Sequence, residues 1–156
     1  MSLILVDLRA HPLGSAVMSE TLFPIAPSAA RYIKLGVNNA WFESCRANDR
    51  IEFGHQLVPH ELALAGSRPE IATIYSTRGR TPSKSSDYAR EVFDFYRLGE
   101  DALWITFAEG CLWWAFAKPD VRMLGETATH GERCRDLVAP WSNRNALGEI
   151  LTIGSL

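Results

Sequence analysis

Hydrophobic residues recur at helical spacing in two segments near the middle of the chain. The first segment begins with "SRPE", in which Ser67 has the position of an N-cap and Glu70 that of its capping-box partner. The second segment is "DYAREVFDFYRLG", where apolar residues recur every three or four positions. We therefore predict one helix that ends at Gly79 and another that ends at Gly99.

A shorter helix is predicted in "VNNAWFESCRAND". Asn38 or Asn39 has the position of its cap, and Trp41 and Cys45 share one side because they are four residues apart. Hydrophobic and polar residues alternate on either side of this helix, in "RYIKLG" before it and in "RIEFGHQLV" after it. This alternation predicts two strands, the second of which runs into a loop at Pro59.

A β-hairpin rich in tryptophan is predicted in "ALWITFAEGCLWWAFA". The letters "AEG" fit a three-residue loop with Gly110 in the left-handed conformation, which separates Trp104 from Trp113. A two-residue loop over Glu109 and Gly110 instead places Trp104 and Trp113 on one face. In either register Trp113 and Trp114 point to opposite faces. Both faces are apolar, so the hairpin is expected at the centre of its sheet.

The rest of the chain after the hairpin is strand-like, in "VRMLGE", "ERCRDLVAPW" and "GEILTIG", whereas the first thirty residues have no sustained period. A length of 156 residues with 47% hydrophobic composition fits one globular domain. We predict an irregular N-terminal arm, residues 1–30, and a single α+β domain, residues 31–156, with a mainly antiparallel sheet.

Net charge, cysteine content and the apolar N-terminal run restrict the expected binding partners and cellular compartment. A formal net charge of −2 argues against an overall basic coat for nucleic acid, although 13 of the 16 basic residues are arginine. The three cysteines are widely spaced without a CxxC pair, which favours neither a disulfide framework nor a zinc cluster and fits a cytoplasmic protein. The apolar run in "MSLILVDL" is too short for a membrane span, so no membrane partner is expected.

The segments "RYIKLGVNNAWFESC", "RIEFG" and "LWITFAEGCLWWAFA" together resemble the PUA-like superfamily, in particular its EVE and YTH branches. The resemblance spans roughly residues 31–117 and rests on the order of elements. It implies a partly closed β-barrel flanked by about three helices. It also implies a non-catalytic nucleic-acid-binding domain, of the kind attached to bacterial restriction and defence proteins, that accepts a modified or flipped base in an aromatic pocket.

The resemblance implies a set of residues for the base pocket. Trp41 would form one wall, Trp104 or Trp113 would face it, and Asn38 or Asn39 would offer amide hydrogen bonds to a base edge. Each residue also fits a purely structural role, in which the indoles fill the core and the asparagines cap the short helix.

A basic connection between the two long helices is the predicted contact with the nucleic-acid backbone, whether DNA or RNA. Its sequence, "RGRTPSKSS", contains Arg78, Arg80 and Lys84. These cations could hold phosphates while a base enters the pocket. Solvated surface is the alternative interpretation of the same residues.

Two other classes of function remain open on the residues alone. A small enzyme could use Cys134 with His130, or a metal at His55 and His60, although Pro59 breaks any helix that would align the two histidines. The chain has no Gly-rich phosphate loop, nucleophile elbow or kinase signature. We therefore expect no catalytic residue, no metal and no cofactor. A protein-interaction module with an aromatic interface is the third hypothesis.

Overall fold

A computed structural model describes residues 4–5, 23–127 and 130–155 of the chain. Two short strands, β1 (Ile4–Leu5) and β2 (Phe23–Pro24), pair antiparallel. Most of the predicted N-terminal arm, residues 1–30, lies outside the described residues.

The described residues contain four α-helices: α1 (Phe42–Ala47), α2 (His60–Ala65), α3 (Arg68–Thr77) and α4 (Pro82–Arg97). The predicted capping box is confirmed at α3, where the Ser67 hydroxyl accepts from the Glu70 amide and the Glu70 carboxylate accepts from the Ser67 amide. The helix α4 begins before the predicted "DYAREV" segment because Thr81 caps it and Pro82 fits its first turn. The sequence did not predict α2, which has only six residues and too short an apolar pattern.

The first sheet, which we call the apolar sheet, has the order β3 (Ala29–Tyr32), β5 (Ala102–Ala108), β6 (Cys111–Phe116). The strand β3 is parallel to β5, and β5 and β6 form the predicted hairpin. The turn of the hairpin has two residues, Glu109 and Gly110, with φ of 53° and 73°. Two consecutive positive φ angles are typical of the turn that fits the twist of a two-residue hairpin.

The register of the hairpin corrects the first of the two predicted loops. Ala108 pairs with Cys111, so the three-residue loop is wrong and the two-residue alternative is confirmed. Trp104 therefore lies on the same face as Trp113, and Trp114 points to the opposite face, where it packs with a second, smaller cluster: Leu103, Leu112 and Leu151.

The second sheet, which we call the charged sheet, has the order β4 (Arg50–Phe53), β8 (Arg133–Asp136), β7 (Arg122–Met123) and is antiparallel throughout. Its link to the apolar sheet is an isolated bridge between Ala117 and Leu137, just beyond β6 and β8. All residues of β4 and the first three of β8 are buried. They include four charged side chains: Arg50, Glu52, Arg133 and Arg135.

The predicted α+β class is confirmed, but the prediction of a partly closed β-barrel with about three helices is wrong. The described strands form two three-stranded sheets in addition to the β1–β2 pair, and no closed barrel is found among the described residues. The reason lies in the edge strands, because β3 pairs only with β5 and β4 only with β8 in this part of the chain. The described strand pairs are antiparallel except β3–β5.

The main hydrophobic core contains residues of all four described α-helices and of both three-stranded sheets. Phe95 of α4 lies at its centre, stacked on Phe53 of β4 with ring centroids 4.1 Å apart and in edge contact with Trp104 of β5. Within the described ranges, no helix combines the length and the apolar character that crossing a membrane requires.

Candidate aromatic binding site

Trp41 is the tryptophan that remains open to solvent. It is partly buried at the edge of the main core, whereas the other four tryptophans are between 3% and 8% exposed: Trp104, Trp113, Trp114 and Trp141. Its backbone fixes it between two elements, since its amide donates to the Leu35 carbonyl and its carbonyl accepts from the Cys45 amide of α1. The backbone of Trp41 is therefore anchored on both sides, at the surface of the protein.

Two glycines lie against the indole of Trp41. A Cβ atom at Gly36 would lie 2.6 Å from the indole, and one at Gly54 would lie 3.9 Å from its ring edge. Gly36 also has a φ of 77°, in the left-handed region that favours glycine. The residue type at position 36 is thus dictated by the ring packed on it.

His130 stacks on Trp41. The two ring planes are parallel within 2° and their centroids are 5.7 Å apart. The neighbouring Gly131 sets this position: its amide donates to the buried Glu52 carboxylate at 2.8 Å, and a Cβ on it would lie 3.0 Å from the Phe53 carbonyl oxygen. The backbone beside His130 is therefore anchored to β4, and the imidazole itself is exposed.

His55 continues the aromatic surface beyond Gly54. Its Nε2 lies 2.8 Å from the Glu91 carboxylate and its Nδ1 lies 2.6 Å from the Tyr75 hydroxyl. An ionised carboxylate only accepts, so Nε2 carries a hydrogen; in neutral His55 the Tyr75 hydroxyl donates to Nδ1. Burial, followed by the charge of Glu91, raises the pKa of Tyr75, which keeps that hydroxyl protonated.

Tyr88 completes this surface on α4. Its ring lies 5.4 Å from that of His55 and 5.2 Å from that of Tyr75, centroid to centroid. We call the partly buried or exposed rings of His130, Trp41, His55 and Tyr88 the aromatic face. It extends from the connection before β8, across the end of β4, to the α3–α4 pair.

The basic residues predicted to hold phosphates lie beside the aromatic face, at the turn between α3 and α4. Arg78, Arg80 and Lys84 are all exposed. The Arg80 amide donates to the carbonyl of Tyr75 at 3.1 Å, and Lys84 lies one helical turn before Tyr88. The basic turn is therefore adjacent to the α3–α4 end of the aromatic face, whereas Trp41 lies against Gly54, the residue before His55.

Trp104 and Trp113 lie in the main core. Trp113 packs on Phe42 of α1 at a centroid distance of 5.0 Å, and its Nε1 donates to the Ala108 carbonyl at 3.1 Å. Trp104 packs on Phe95 at 5.7 Å. Both indoles are covered by protein atoms, so each has the core-filling role that was the alternative interpretation.

The two predicted asparagines differ in their environment. Asn39 binds the protein itself: its Oδ1 accepts from the Leu35 amide at 2.8 Å and its Nδ2 donates to the Phe107 carbonyl at 2.6 Å. Asn38 is exposed with a φ of 54°. Neither caps α1, since Trp41 has the N-cap position and no side chain caps it. Asn39 therefore joins the segment before α1 to the end of β5.

The histidines and the cysteine of the enzyme hypothesis lie apart. His60 bonds the Tyr96 hydroxyl at 2.9 Å while His55 bonds Tyr75, and no group of three or more metal-ligating side chains is found in the described part of the chain. Cys134 is fully buried and burial raises its pKa, which opposes formation of a thiolate, whereas His130 is exposed on Trp41. This arrangement offers no activated nucleophile.

Sequence reasoning missed His130 and Tyr88 as neighbours of the candidate site. His130 is 89 positions from Trp41 and was considered only with Cys134, because no local pattern connects it to α1. Tyr88 was assigned to the apolar side of its helix, which is correct, but nothing in the sequence indicates that His55 lies against it.

Neither a protein-family model, nor a curated protein, nor a solved structure matches the chain. Its class is therefore defined by its own geometry: an α+β domain with an exposed aromatic face that ends at a basic turn.

Proposed function

We propose that this domain binds nucleic acid through its aromatic face. One unpaired base, modified or flipped out of a duplex, stacks on Trp41, and the backbone follows the face toward Arg78, Arg80 and Lys84. The observation that carries the proposal is the position of Trp41, a partly exposed indole on an anchored segment in a chain whose other tryptophans are buried.

The energetics fit a modest, salt-sensitive interaction. Stacking a base on an aromatic ring contributes about 1–3 kcal/mol. Three exposed cations that each neutralise one phosphate give a slope of log K against log salt of roughly −2 for a single strand. With a formal net charge of −2, the rest of the surface adds no general attraction, so binding depends on this local basic turn.

Intrinsic tryptophan fluorescence provides the test, because four of the five indoles are buried and a stacked base is expected to quench Trp41 selectively. We would titrate the protein at low salt with 12-nucleotide single strands of DNA and RNA and with a duplex, each with and without a modified base. Quenching should saturate, and Trp41→Ala should abolish the quenching and weaken binding about 5- to 150-fold. Tyr32→Ala, which removes an exposed aromatic ring elsewhere, is the matched control.

The basic turn is tested separately through salt dependence. The triple variant Arg78→Ala, Arg80→Ala, Lys84→Ala should bind more weakly and flatten the salt slope to near zero. Arg68→Ala removes an exposed arginine from the opposite end of α3 and should leave the slope unchanged. Saturable binding that is indifferent to both Trp41 and the basic turn, or no binding at low salt, would overturn the proposal.

A further inference from the structure

We infer that His130 occupies the position of the bound base, so that the ligand must replace its imidazole on Trp41. This inference rests on the function proposed above and adds how its site is filled and opened. The imidazole lies parallel to the indole within 2°, which is the arrangement a stacked base adopts.

The spacing of the two rings excludes a base between them as they stand. A flat ring inserted between two others needs two contact gaps of about 3.5 Å, or about 7 Å between the outer planes. The centroids of Trp41 and His130 are 5.7 Å apart, and the planes of parallel rings cannot be farther apart than their centroids. The base therefore takes the place of the imidazole.

The side chain of His130 can leave while its backbone stays in place. Gly131 is held by its bond to Glu52 and by its close approach to Phe53, so the chain at this point stays on β4. His130 is exposed, so rotation about its side-chain bonds turns the imidazole into solvent. That rotation gives up the stack on Trp41, which binding must compensate.

The consequence is that His130 weakens binding to the site that it covers. An aromatic pair contributes an amount equivalent to about a 2- to 12-fold change in affinity. Removing the ring should therefore tighten binding by that factor, whereas a second wall of the pocket would show the opposite effect. A larger flat ring at position 130 should compete more strongly than imidazole.

The experiment compares His130→Ala, His130→Phe and the control Glu132→Ala, which changes an exposed neighbour and keeps the imidazole. Acrylamide quenching of Trp41 without ligand should rise in His130→Ala alone. The same variant should bind the 12-nucleotide single strand about 2- to 12-fold more tightly than the native chain, and His130→Phe should bind no more tightly than the native chain.

The outcomes separate this inference from the proposed function. If the native chain binds through Trp41 but His130→Ala binds equally or more weakly, the inference fails and the proposed function stands. If neither the native chain nor His130→Ala binds the strand, both fail. If His130→Ala binds more tightly without greater acrylamide access to Trp41, the inference also fails, because the gain then has another origin.

Discussion

The two three-stranded sheets bury opposite kinds of side chain. The apolar sheet buries indoles and aliphatic groups on both faces of its hairpin, with Trp104 and Trp113 on one side and Trp114 on the other. The charged sheet buries an Arg50–Glu52 ion pair on one face and two arginines on the other, Arg133 and Arg135. Burial alone therefore does not distinguish polar from apolar strands in this protein.

The charged sheet shows how a buried arginine can be stabilised without a hydrogen bond to a carboxylate. Arg135 donates to four backbone carbonyls, those of Lys118 at 2.6 Å, Ala117 at 2.9 Å, Phe95 at 3.2 Å and Gly99 at 3.4 Å. These carbonyls lie at or just beyond the ends of α4 and β6, where the regular hydrogen bonds of a helix or strand stop. The Gly99 carbonyl also accepts from the Ala102 amide at 3.3 Å. Burial still lowers the pKa of Arg135 to about 10, which leaves it charged at neutral pH.

The largest loss of stability that we expect is that of Arg135→Met, which should destabilise the charged sheet. Methionine fills similar volume but removes the donor from four carbonyls, of which those of Phe95 and Ala117 are in buried hydrogen bonds, so we expect a cost of about 3–5 kcal/mol in the free energy of unfolding. Urea denaturation followed by circular dichroism measures it. Arg133→Met is the control, because Arg133 donates to two groups among the described residues, the Tyr96 hydroxyl and the Val58 carbonyl. Equal costs for the two variants would contradict the role of the carbonyl cluster.

Gly36→Ala tests the connection between the two sheets, where Trp41 is seated. The new Cβ meets the indole at 2.6 Å in a left-handed backbone, so we expect a loss of about 2–4 kcal/mol and a shift in Trp41 emission. Gly79→Ala has nearly the same positive φ, but its Cβ would lie within 4 Å of no atom of the described residues, and it should cost only about 1–2 kcal/mol. If Gly36→Ala loses no more stability than Gly79→Ala and does not shift the Trp41 emission, the indole is free to move away from the new Cβ.

At the rim of the charged sheet, Asp136→Asn tests how much the exposed Arg122–Asp136 ion pair contributes to stability, through the pH dependence of that stability. The hydrogen bond from Arg122, at 2.7 Å, holds the pKa of Asp136 below its ordinary value. The ion pair therefore stabilises the fold above about pH 4, and this contribution is lost as the pH falls toward the lowered pKa. Both side chains are more than 40% exposed, so we expect less than about 1 kcal/mol.

Urea denaturation at pH 7 and pH 2.5 measures that contribution. The native chain should be more stable than Asp136→Asn at pH 7, and the two should converge at pH 2.5. Glu43→Gln, which neutralises an exposed carboxylate on α1, is the control for the loss of a negative charge. A difference of equal size at both pH values would mean that the pair is not the source.

Thr106→Val is the smallest expected effect and tests the apolar sheet. The Thr106 hydroxyl is fully buried and finds no hydrogen-bond partner among the described residues. Replacing it with a methyl group removes an unsatisfied polar atom, so stability should be unchanged or rise by up to about 1 kcal/mol. A clear loss of stability in thermal denaturation would indicate a partner for this hydroxyl and would reduce the contrast between the sheets.

The sequence predicts the elements whose causes are local. The capping box at Ser67, the helical spacing in α4 and the alternation around the hairpin each depend on residues within one turn or one strand. The local sequence allows two lengths for the hairpin loop because "AEG" fits both, and the pairing of Thr106 with Trp113 selects the two-residue loop. The short helix α1 is also predicted, but Trp41, which we expected inside it, is its N-cap residue, and neither Asn38 nor Asn39 caps it.

The remainder depends on contacts between distant residues. The barrel was predicted from element order, which does not specify whether β4 pairs with β3 or with β8. The alternating "RIEF" and "RCRD" resemble half-exposed strands, although both of their faces are largely buried. The stack of His130 on Trp41 likewise has no local signal, because the anchoring bond joins Gly131 to Glu52, 79 residues away.

The carbonyl cluster around Arg135 also has a consequence for the lifetime of the folded state. Its acceptors lie up to 40 residues earlier in the chain, so the cluster forms only after α4, β6 and β8 have come together. Interactions that are completed after the rate-limiting step leave the folding rate unchanged and slow unfolding. We therefore expect Arg135→Met to raise the unfolding rate more than it lowers the folding rate, which stopped-flow unfolding and refolding in urea would measure.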